Sequence, residues 1–290
     1  MYEYRPLTRT QSRRRAFLVG GAALAVLVST GAIALINRQP TLDEKTLCPQ
    51  EQKLESSTIV LVDTTDALTL VQTNRLLAAV AEARGELPVY GKLTLLFLDA
   101  KAPFDPKELV SLCNPGSPRY ANPLFQTASR IEKRYRESFG GPVEKAVEAL
   151  LKAPTAARSP ILEALTAVTW RSDFDARVKN RKLFVVSDLL QLGEGGYSHY
   201  QGGDLWVRFV RSGIARKVEA DLTDVRVKID YLRRAEATQH QNDAHRAFWT
   251  RWLTERGAAT IDFGTTPARA RELPISIANG PAPAATKPVR

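Results

Sequence analysis

Carboxylates and hydroxyls follow or flank short apolar runs at three places in the sequence. Asp63 and Thr65 come directly after the run at residues 59–62. Asp188 closes the segment "KLFVVSD", and Ser159 opens the helical pattern "SPILEAL". Hard cations such as Mg²⁺ take about six oxygen ligands, which carboxylates, hydroxyls and waters supply. Carboxylates and hydroxyls in these places therefore raise the question whether Asp63 is the first ligand of a divalent-metal site. The alternative is a metal-free arrangement in which Asp63 and Asp188 cap helices and bond to loop amides.

A glycine-rich loop follows Asp188 and carries three aromatic rings. The segment "GEGGYSHYQGGD", residues 193–204, contains Tyr197, His199 and Tyr200. Aromatic side chains are enriched at the centres of binding interfaces, so this loop predicts a partner-binding surface beside the candidate metal site. The alternative is a surface loop whose rings fold back onto the edge of the sheet.

Signatures of other chemistry are weaker. The segment "DTTD" lacks the aspartate two positions after Asp63 that a haloacid-dehalogenase-type phosphatase needs. The sequence contains neither a G-x-x-x-x-G-K-[ST] phosphate loop nor a G-x-S-x-G nucleophile elbow. His240 and His245 are five residues apart, whereas a helical metal pair is spaced by four. A hydrolase of unknown substrate is therefore only the third alternative for the function.

The elements that must position these side chains alternate along the chain. Short runs rich in Val, Ile, Leu and Phe predict buried parallel strands, and the amphipathic segments between them predict helices. This alternation is typical of an α/β fold with a doubly wound, mostly parallel central sheet and helices on both faces. The segment "ELVSLC" follows the second strand too soon for a crossover helix, so it predicts an antiparallel edge strand. The predicted parallel strands are residues 58–62, 92–98, 182–187, 225–232 and 260–263.

Between residues 58 and 264 the order of elements and motifs resembles a von Willebrand factor A-type domain. The metal-ion-dependent adhesion site of that family has Asp-x-Ser-x-Ser after the first strand, a Thr that opens a later helix, and an Asp after the fourth strand. Asp63 and Thr65 match the first two positions of this pattern. Ser159 stands at the Thr position, and Asp188 stands at the second Asp position. The resemblance therefore implies a divalent-metal site with these four side chains as its oxygen ligands, direct or through water.

The sequence departs from the family pattern at two positions. Ala67 stands where the second Ser belongs, and Leu189 stands where a Gly usually follows the second Asp. The resemblance implies an adhesion-type domain that binds a protein partner with the help of Mg²⁺ or another divalent cation. A scaffold without metal, held at the membrane as a structural subunit of a cell-envelope complex, is the runner-up.

The first part of the chain predicts a membrane anchor. Residues 16–36 are apolar and uncharged, and at about 1.5 Å per residue they span a hydrocarbon core of roughly 30 Å. Because arginines cluster before this segment, residues 1–15 are expected in the cytoplasm and the connector at residues 37–57 outside it. We expect a single-pass protein of the bacterial inner membrane with its C-terminal domain in the periplasm. The preceding arginines are Arg5, Arg9, Arg13, Arg14 and Arg15.

The same segment allows a second interpretation and one further prediction. The residues "RRAFLV" resemble a twin-arginine export signal and residues 32–34 fit a small-x-small cleavage site, so a cleaved signal peptide is the alternative. The apolar run is longer than the roughly 7–15 residues of a usual signal core, which favours the anchor. Gly21, Ala25 and Ser29 place small residues four apart, which predicts a homo-oligomer formed through the membrane helix.

The charge of the chain does not favour a nucleic-acid partner. The net charge is +10, of which residues 1–38 contribute +5 through six arginines and Glu3. The remaining charge is spread thinly over the rest of the chain. We therefore expect an unidentified protein of the cell envelope as the partner, and no nucleic acid.

Two cysteines predict a disulfide, and the C-terminal segment predicts disorder. Cys48 and Cys113 both follow the predicted anchor, and in an oxidising compartment such a pair predicts one disulfide. The alternative is two unpaired buried thiols. Residues 265–290 are rich in Pro and Ala and have few apolar side chains that could pack, so we expect them to be disordered.

Overall fold

The computed structural model describes residues 40–116, 128–193 and 196–264. The predicted N-terminal region, membrane helix and small-residue stripe, at residues 1–36, lie outside these ranges. So does the whole predicted disordered tail at residues 265–290. Within them, no helix combines the length and the apolar character that crossing a membrane requires. The chain divides into two compact units, Met1–Glu44 with Pro49–Lys53, and Lys45–Cys48 with Leu54–Arg290. In the described part of the first unit, Leu42 and Pro49 form an antiparallel bridge.

The second unit contains one six-stranded sheet. Its strands are β1 (Ser56–Val62), β2 (Lys92–Phe97), β3 (Lys107–Cys113), β4 (Asn180–Ser187), β5 (Val225–Tyr231) and β6 (Thr260–Phe263). Their order is β3-β2-β1-β4-β5-β6. All neighbouring strands are parallel except β2 and β3, which are antiparallel. The predicted α/β class, the mostly parallel sheet and the antiparallel edge strand are therefore confirmed.

The sheet has its switch point between β1 and β4. The chain runs outward from β1 through β2 to β3 and then returns to the other side of β1 as β4. Val62 at the end of β1 lies opposite Val186 on β4. The loops that leave these two strands therefore begin side by side, which is the usual place for ligands in an open α/β sheet.

Helices cover both faces of the sheet. Alternate residues of β1 enter two different cores, because side chains along a strand point to opposite faces. The helices are α1 (Leu70–Gly85), α2 (Ala128–Tyr135), α3 (Gly141–Leu150), α4 (Ile161–Thr169), α5 (Leu205–Arg211) and α6 (Asp243–Glu255). Ile59 and Leu61 pack with α4, α5 and α6, whereas Val60 and Val62 pack with α1 and α3. A π-helical turn, Arg136–Gly140, joins α2 to α3.

A capping box fixes the start of α1 near the switch point. The Thr69 hydroxyl accepts a hydrogen bond from the Gln72 amide at 3.3 Å, and the Gln72 side chain accepts one from the Thr69 amide at 2.9 Å. This reciprocal pair satisfies two amides that the first turn of a helix leaves without a partner. The loop between Asp63 and Thr69 is therefore short and anchored at both ends.

A disulfide joins Cys48 to Cys113, as the sequence predicts. The two Cα atoms are 4.9 Å apart, and the bond closes a loop of 65 residues. The Cys113 amide also donates to the Thr46 carbonyl at 2.8 Å. By the entropy of loop closure, such a link stabilises a domain by about 2–4 kcal/mol.

Candidate functional site

Asp63 lies at the centre of a buried hydrogen-bond network. Its Oδ1 accepts from the amide of Thr65 at 3.0 Å and from the hydroxyl of Thr65 at 2.7 Å. Its Oδ2 accepts from the hydroxyl of Ser159 at 2.8 Å and from the hydroxyl of Ser187 at 2.9 Å. Three of the four predicted metal ligands therefore meet directly, and Ser187 joins them.

The backbone places each of these donors. The Asp63 amide donates to the Val186 carbonyl at 2.9 Å, which continues the pairing of β1 with β4 beyond the strand ends. Ser159 and Leu192 exchange two backbone hydrogen bonds of 2.9 Å each. Ala156 donates from its amide to the Thr65 carbonyl at 2.7 Å. The loops after β1, before α4 and after β4 are thus connected through their main chains.

Asp188, the fourth predicted ligand, is buried in a different environment. Its Oδ1 accepts from the Leu190 amide at 2.9 Å, and its Oδ2 accepts from the Nε of Arg234 at 2.6 Å. Burial and the nearby charge of Asp63 raise the pKa of Asp188 to about 6, although the Leu190 amide and Arg234 act in the opposite direction. The two aspartates therefore repel each other, and Arg234 offsets part of that repulsion.

Arg234 is the functional residue that the sequence analysis missed. Its side chain is 7% exposed and reaches from the loop after β5 to the loops after β1 and β4. Besides Asp188, its guanidinium bonds the Ala67 carbonyl at 3.1 Å and pairs with Asp66 at 3.6 Å. Burial opposes its charge, but the hydrogen bond and charge of Asp188 raise the pKa of Arg234 above its usual value. Its position directly after a predicted strand was the signal that could have identified it.

Gln241 connects the backbones of Arg234 and Asp188 through its side chain. The side-chain oxygen of Gln241 accepts from the Arg234 amide at 2.7 Å. Its side-chain nitrogen donates to the Asp188 carbonyl at 3.0 Å and to the Leu232 carbonyl at 2.8 Å. Gln241 is itself buried, so the loops after β4 and β5 cannot separate without breaking these bonds. We use the name polar edge for Asp63, Thr65, Ser159, Ser187, Asp188 and Arg234.

The predicted aromatic binding surface is present only in part. Tyr200 is 42% exposed, but Tyr197 and His199 are buried. The rings fold back onto the core because β4 and α6 leave apolar surface there to cover. His199 contacts Phe248 and Trp249, with ring centroids 4.7 and 5.6 Å away. In this structure Tyr197 and His199 therefore do not belong to a contact surface.

These buried rings form a neutral cluster beneath the loop after β4. His245 lies between the hydroxyl of Tyr231, 2.7 Å from its Nδ1, and the Leu189 carbonyl, 2.9 Å from its Nε2. The Trp249 indole donates to the same carbonyl at 2.9 Å. Burial lowers the pKa of His245 to about 4 and lowers that of His199 well below its usual value. The aromatic cluster, as we name it, consists of Tyr197, His199, Tyr231, His245, Phe248 and Trp249.

Tyr200 remains at the surface beside the polar edge. Its ring lies against His240, with centroids 5.2 Å apart. Partial burial and then the charges of Asp188 and Asp66 raise the pKa of Tyr200 to about 12. The phenol therefore stays protonated at neutral pH and can donate a hydrogen bond to a partner.

The oxygen donors suit a hard cation, but each of them is bonded to another group in this structure. Both oxygens of Asp63 already accept two hydrogen bonds each. Asp188 is engaged by the guanidinium of Arg234. A dication placed between the two aspartates would face that guanidinium, and like charges at such range repel strongly. In residues 40–116, 128–193 and 196–264, His, Cys, Asp and Glu form no group of three or more arranged to hold a metal ion.

Comparisons with known proteins add no family to this description. No protein-family model matches the chain. No curated protein matches it either. The function therefore has to be inferred from the geometry of the sheet edge and from the sequence.

Proposed function

We propose that this chain is a membrane-anchored, extracytoplasmic protein-binding domain of the von Willebrand A type. Its partner contacts the carboxyl edge of the sheet. The observation that carries this proposal is the convergence of Asp63, Ser159, Asp188 and Arg234, from four separate loops, at the switch point of the sheet. Such a convergence at the place where α/β sheets bind ligands is typical of a functional site.

Exposed apolar side chains beside the polar edge support a protein as the partner. Leu70 and Val71, in the first turn of α1, are 84% and 68% exposed. Tyr200 extends the same edge with a half-buried ring. Exposed apolar residues next to aromatic and charged groups are typical of protein–protein contacts. Asp66 adds an exposed carboxylate that already pairs with Arg234 at 3.6 Å.

Binding, and not catalysis, is the function that these contacts favour. The carboxylate of Asp63 is saturated by hydroxyl and amide donors, and that of Asp188 is held in an ion pair. A general base must be free to take a proton from a substrate. Both aspartates instead hold loops in place, which is what a rigid recognition surface needs.

The disulfide supports a location outside the cytoplasm. Disulfides such as Cys48–Cys113 persist in oxidising compartments and are rare in the cytosol. Together with the apolar segment at residues 16–36, this favours a periplasmic domain anchored in the inner membrane. A reporter enzyme that works only in the periplasm should be active when it is fused after Arg290. The full-mass protein should sediment with membranes. Release of a soluble form that begins near Leu35 would support the signal-peptide alternative.

Site-specific photo-crosslinking in membranes tests the binding function. A photoreactive phenylalanine analogue placed at Leu70 or Tyr200 should give the same protein adduct. The matched control is Trp170, an exposed ring that follows α4 and stacks on Phe104 in the loop between β2 and β3. The adduct should also be lost in the Asp66→Lys variant, since that change replaces a negative charge of the proposed surface with a positive one. Adducts from Trp170 but not from Leu70 or Tyr200 would move the binding surface to the end of α4.

One observation favours a second candidate, a metal-free structural subunit of an envelope complex. Arg234 gives the polar edge a permanent positive charge, so this edge can be a fixed scaffold contact with no dependence on a bound ion. The two candidates differ in partner exchange. A structural subunit should purify in a fixed ratio with its complex, whereas an adhesion-type domain should bind and release its partner during washing.

A further inference from the structure

Arg234 supplies a fixed positive charge beside three aspartates, Asp63, Asp66 and Asp188. Its Nε donates to Asp188 at 2.6 Å, and its Nη2 lies 3.6 Å from Asp66. Its Nη1 donates to the Ala67 carbonyl at 3.1 Å. One planar guanidinium thus contacts the loop after β1 and the loop after β4 at the same time. Arginine suits this task because its donors point in fixed directions within one plane.

The guanidinium is held in this position before any partner arrives. The backbone of Arg234 is tied to Gln241 by a 2.7 Å hydrogen bond, and Gln241 is tied to the Asp188 carbonyl. The side chain is 7% exposed, so bulk water screens its charge little. Moving it away would leave Asp188 buried without a counter-charge, which is strongly unfavourable.

We infer that Arg234 is a built-in cation that takes the role of a divalent metal at the polar edge. It holds the loops after β1 and β4 in the arrangement that contacts the partner, so the contact needs no metal ion. This inference rests on the proposed function in taking the same edge as the binding surface. It departs from the metal dependence that the von Willebrand A resemblance implies.

The charge balance makes the inference testable by a single substitution. With Arg234 in place, three aspartates face one cation; without it, Asp63 and Asp188 are left with mutual repulsion. The remaining donors are two carboxylates and the hydroxyls of Thr65, Ser159 and Ser187. That set of hard oxygen ligands is what Mg²⁺ prefers. Removal of the guanidinium should therefore turn a metal-indifferent edge into a metal-responsive one.

The experiment compares thermal unfolding of the full chain in detergent, with and without MgCl₂, at constant ionic strength. Wild-type protein should show no shift in Tm. The Arg234→Gln variant should melt at a lower temperature and regain about 5 °C or more when Mg²⁺ reaches roughly 100 times its Kd. The double variant Arg234→Gln with Asp188→Asn should lose that response. Arg233→Gln, at the neighbouring arginine, is the matched control and should stay indifferent to Mg²⁺.

Two results would overturn the inference. A wild-type Tm that rises with Mg²⁺ and no longer does so in Asp63→Asn would show that a metal binds beside Arg234. A folded Arg234→Gln variant that ignores Mg²⁺, Mn²⁺ and Ca²⁺ would show that Arg234 replaces no metal. If Arg234→Gln does not fold in either condition, the wild-type titration and the Arg234→Lys variant decide, because a retained cation must leave the protein metal-indifferent.

Photo-crosslinking separates this inference from the proposed function. The adduct formed from Tyr200 should have the same yield in EDTA and in Mg²⁺, and its loss in EDTA would refute the built-in cation. Absence of any adduct in both conditions would instead refute the binding surface. The melting shifts of Arg234→Gln would still test the role of Arg234, since they need no partner.

Discussion

The polar edge and the aromatic cluster are two buried regions that meet at the loop after β4, and polar groups are accommodated differently in each. At the polar edge, the carboxyl groups of Asp63 and Asp188 are surrounded by hydroxyls, amides and Arg234. In the aromatic cluster, burial keeps His199 and His245 neutral, and their rings pack against other rings. Polar groups next to exposed Asp66 and Tyr200 suit recognition, whereas neutral rings suit a core.

The aromatic cluster also supports the polar edge. The Leu189 carbonyl, adjacent to Asp188, accepts hydrogen bonds from His245 and from Trp249 at 2.9 Å each. Leu189 has a positive φ of 60°, which is unusual for a residue with a branched side chain. The aromatic cluster therefore fixes a strained turn that positions the carboxylate of Asp188.

The largest loss of stability should come from removing a buried ring from the aromatic cluster. Trp249 is fully buried, so Trp249→Ala should lower the free energy of unfolding by about 3–5 kcal/mol, because it leaves a cavity. Urea denaturation followed by circular dichroism measures this loss. Trp170→Ala, at an exposed ring, is the control and should cost less than about 1 kcal/mol. Equal losses in the two variants would contradict the assignment of the cluster as core.

Acid should destabilise the same cluster. The pKa of His245 is lowered to about 4 in the folded state, whereas an unfolded histidine titrates near 6.5. Between these values the unfolded chain binds the extra proton, so stability is lost as pH falls from about 6.5 to about 4. The loss from His245 should approach about 3 kcal/mol over that range. Urea denaturation at a series of pH values measures it.

His199→Phe separates the histidines from Asp188 in that pH series. The Nδ1 of His199 has no hydrogen-bond partner, and its Nε2 lies 3.2 Å from the Tyr197 hydroxyl, which also donates to the Leu205 carbonyl. A phenyl ring should therefore be tolerated at neutral pH. The variant should lose stability less steeply in acid, by up to one proton fewer taken up on unfolding. Asp188 acts in the opposite sense, because its raised pKa makes the folded state bind a proton first. An unchanged pH slope in His199→Phe would contradict the neutral, buried state of His199.

Removing a hydroxyl from the polar edge should have a smaller effect. Ser187→Ala deletes the bond to Asp63 at 2.9 Å and the bond from the Leu189 amide at 2.8 Å. Hydrogen bonds to charged groups contribute about 1.5–3 kcal/mol, so we expect a loss near the lower end of this range. Ser111→Ala, which removes a bond between two neutral hydroxyls, should cost about 1 kcal/mol or less. A larger loss for Ser111→Ala would show that the charge of Asp63 adds nothing.

The smallest effect on stability should come from Tyr200. Because its ring is partly exposed, Tyr200→Ala should change the free energy of unfolding by about 0.5 kcal/mol or less. It should still lower the crosslinking yield from Leu70 by about fivefold or more, as expected for a contact residue worth over about 1 kcal/mol. Unfolding curves and adduct yields are measured on the same preparations. Unchanged crosslinking would remove Tyr200 from the binding surface.

Much of the framework could be predicted because its signals are local. The buried strand at residues 58–62 corresponds to the core of β1, and residues 260–263 match β6 in full. The antiparallel edge strand followed from a connection too short for a helix, and the disulfide followed from the number of cysteines. Each of these inferences needs only residues that are close in sequence or few in kind.

Arg234 and the buried rings could not be predicted in this way. Arg234 is 46 residues from Asp188, and the two meet because β4 and β5 are neighbours in register. Tyr197 and His199 lie on a glycine-rich loop that predicts exposure, yet α6 and β4 offer an apolar surface on which they pack. A pattern of oxygen ligands also carries no information about an arginine.

The sequence by itself determined which segments become strands and helices, because hydrophobic periodicity is set by neighbouring residues and needs no partner. It also determined that carboxylates and hydroxyls stand at the ends of β1 and β4. Only the tertiary structure decided what neutralises them. The lateral order of the strands brings the loop after β5 beside Asp188. The Arg234 guanidinium from that loop therefore lies within hydrogen-bond distance of the Asp188 carboxylate.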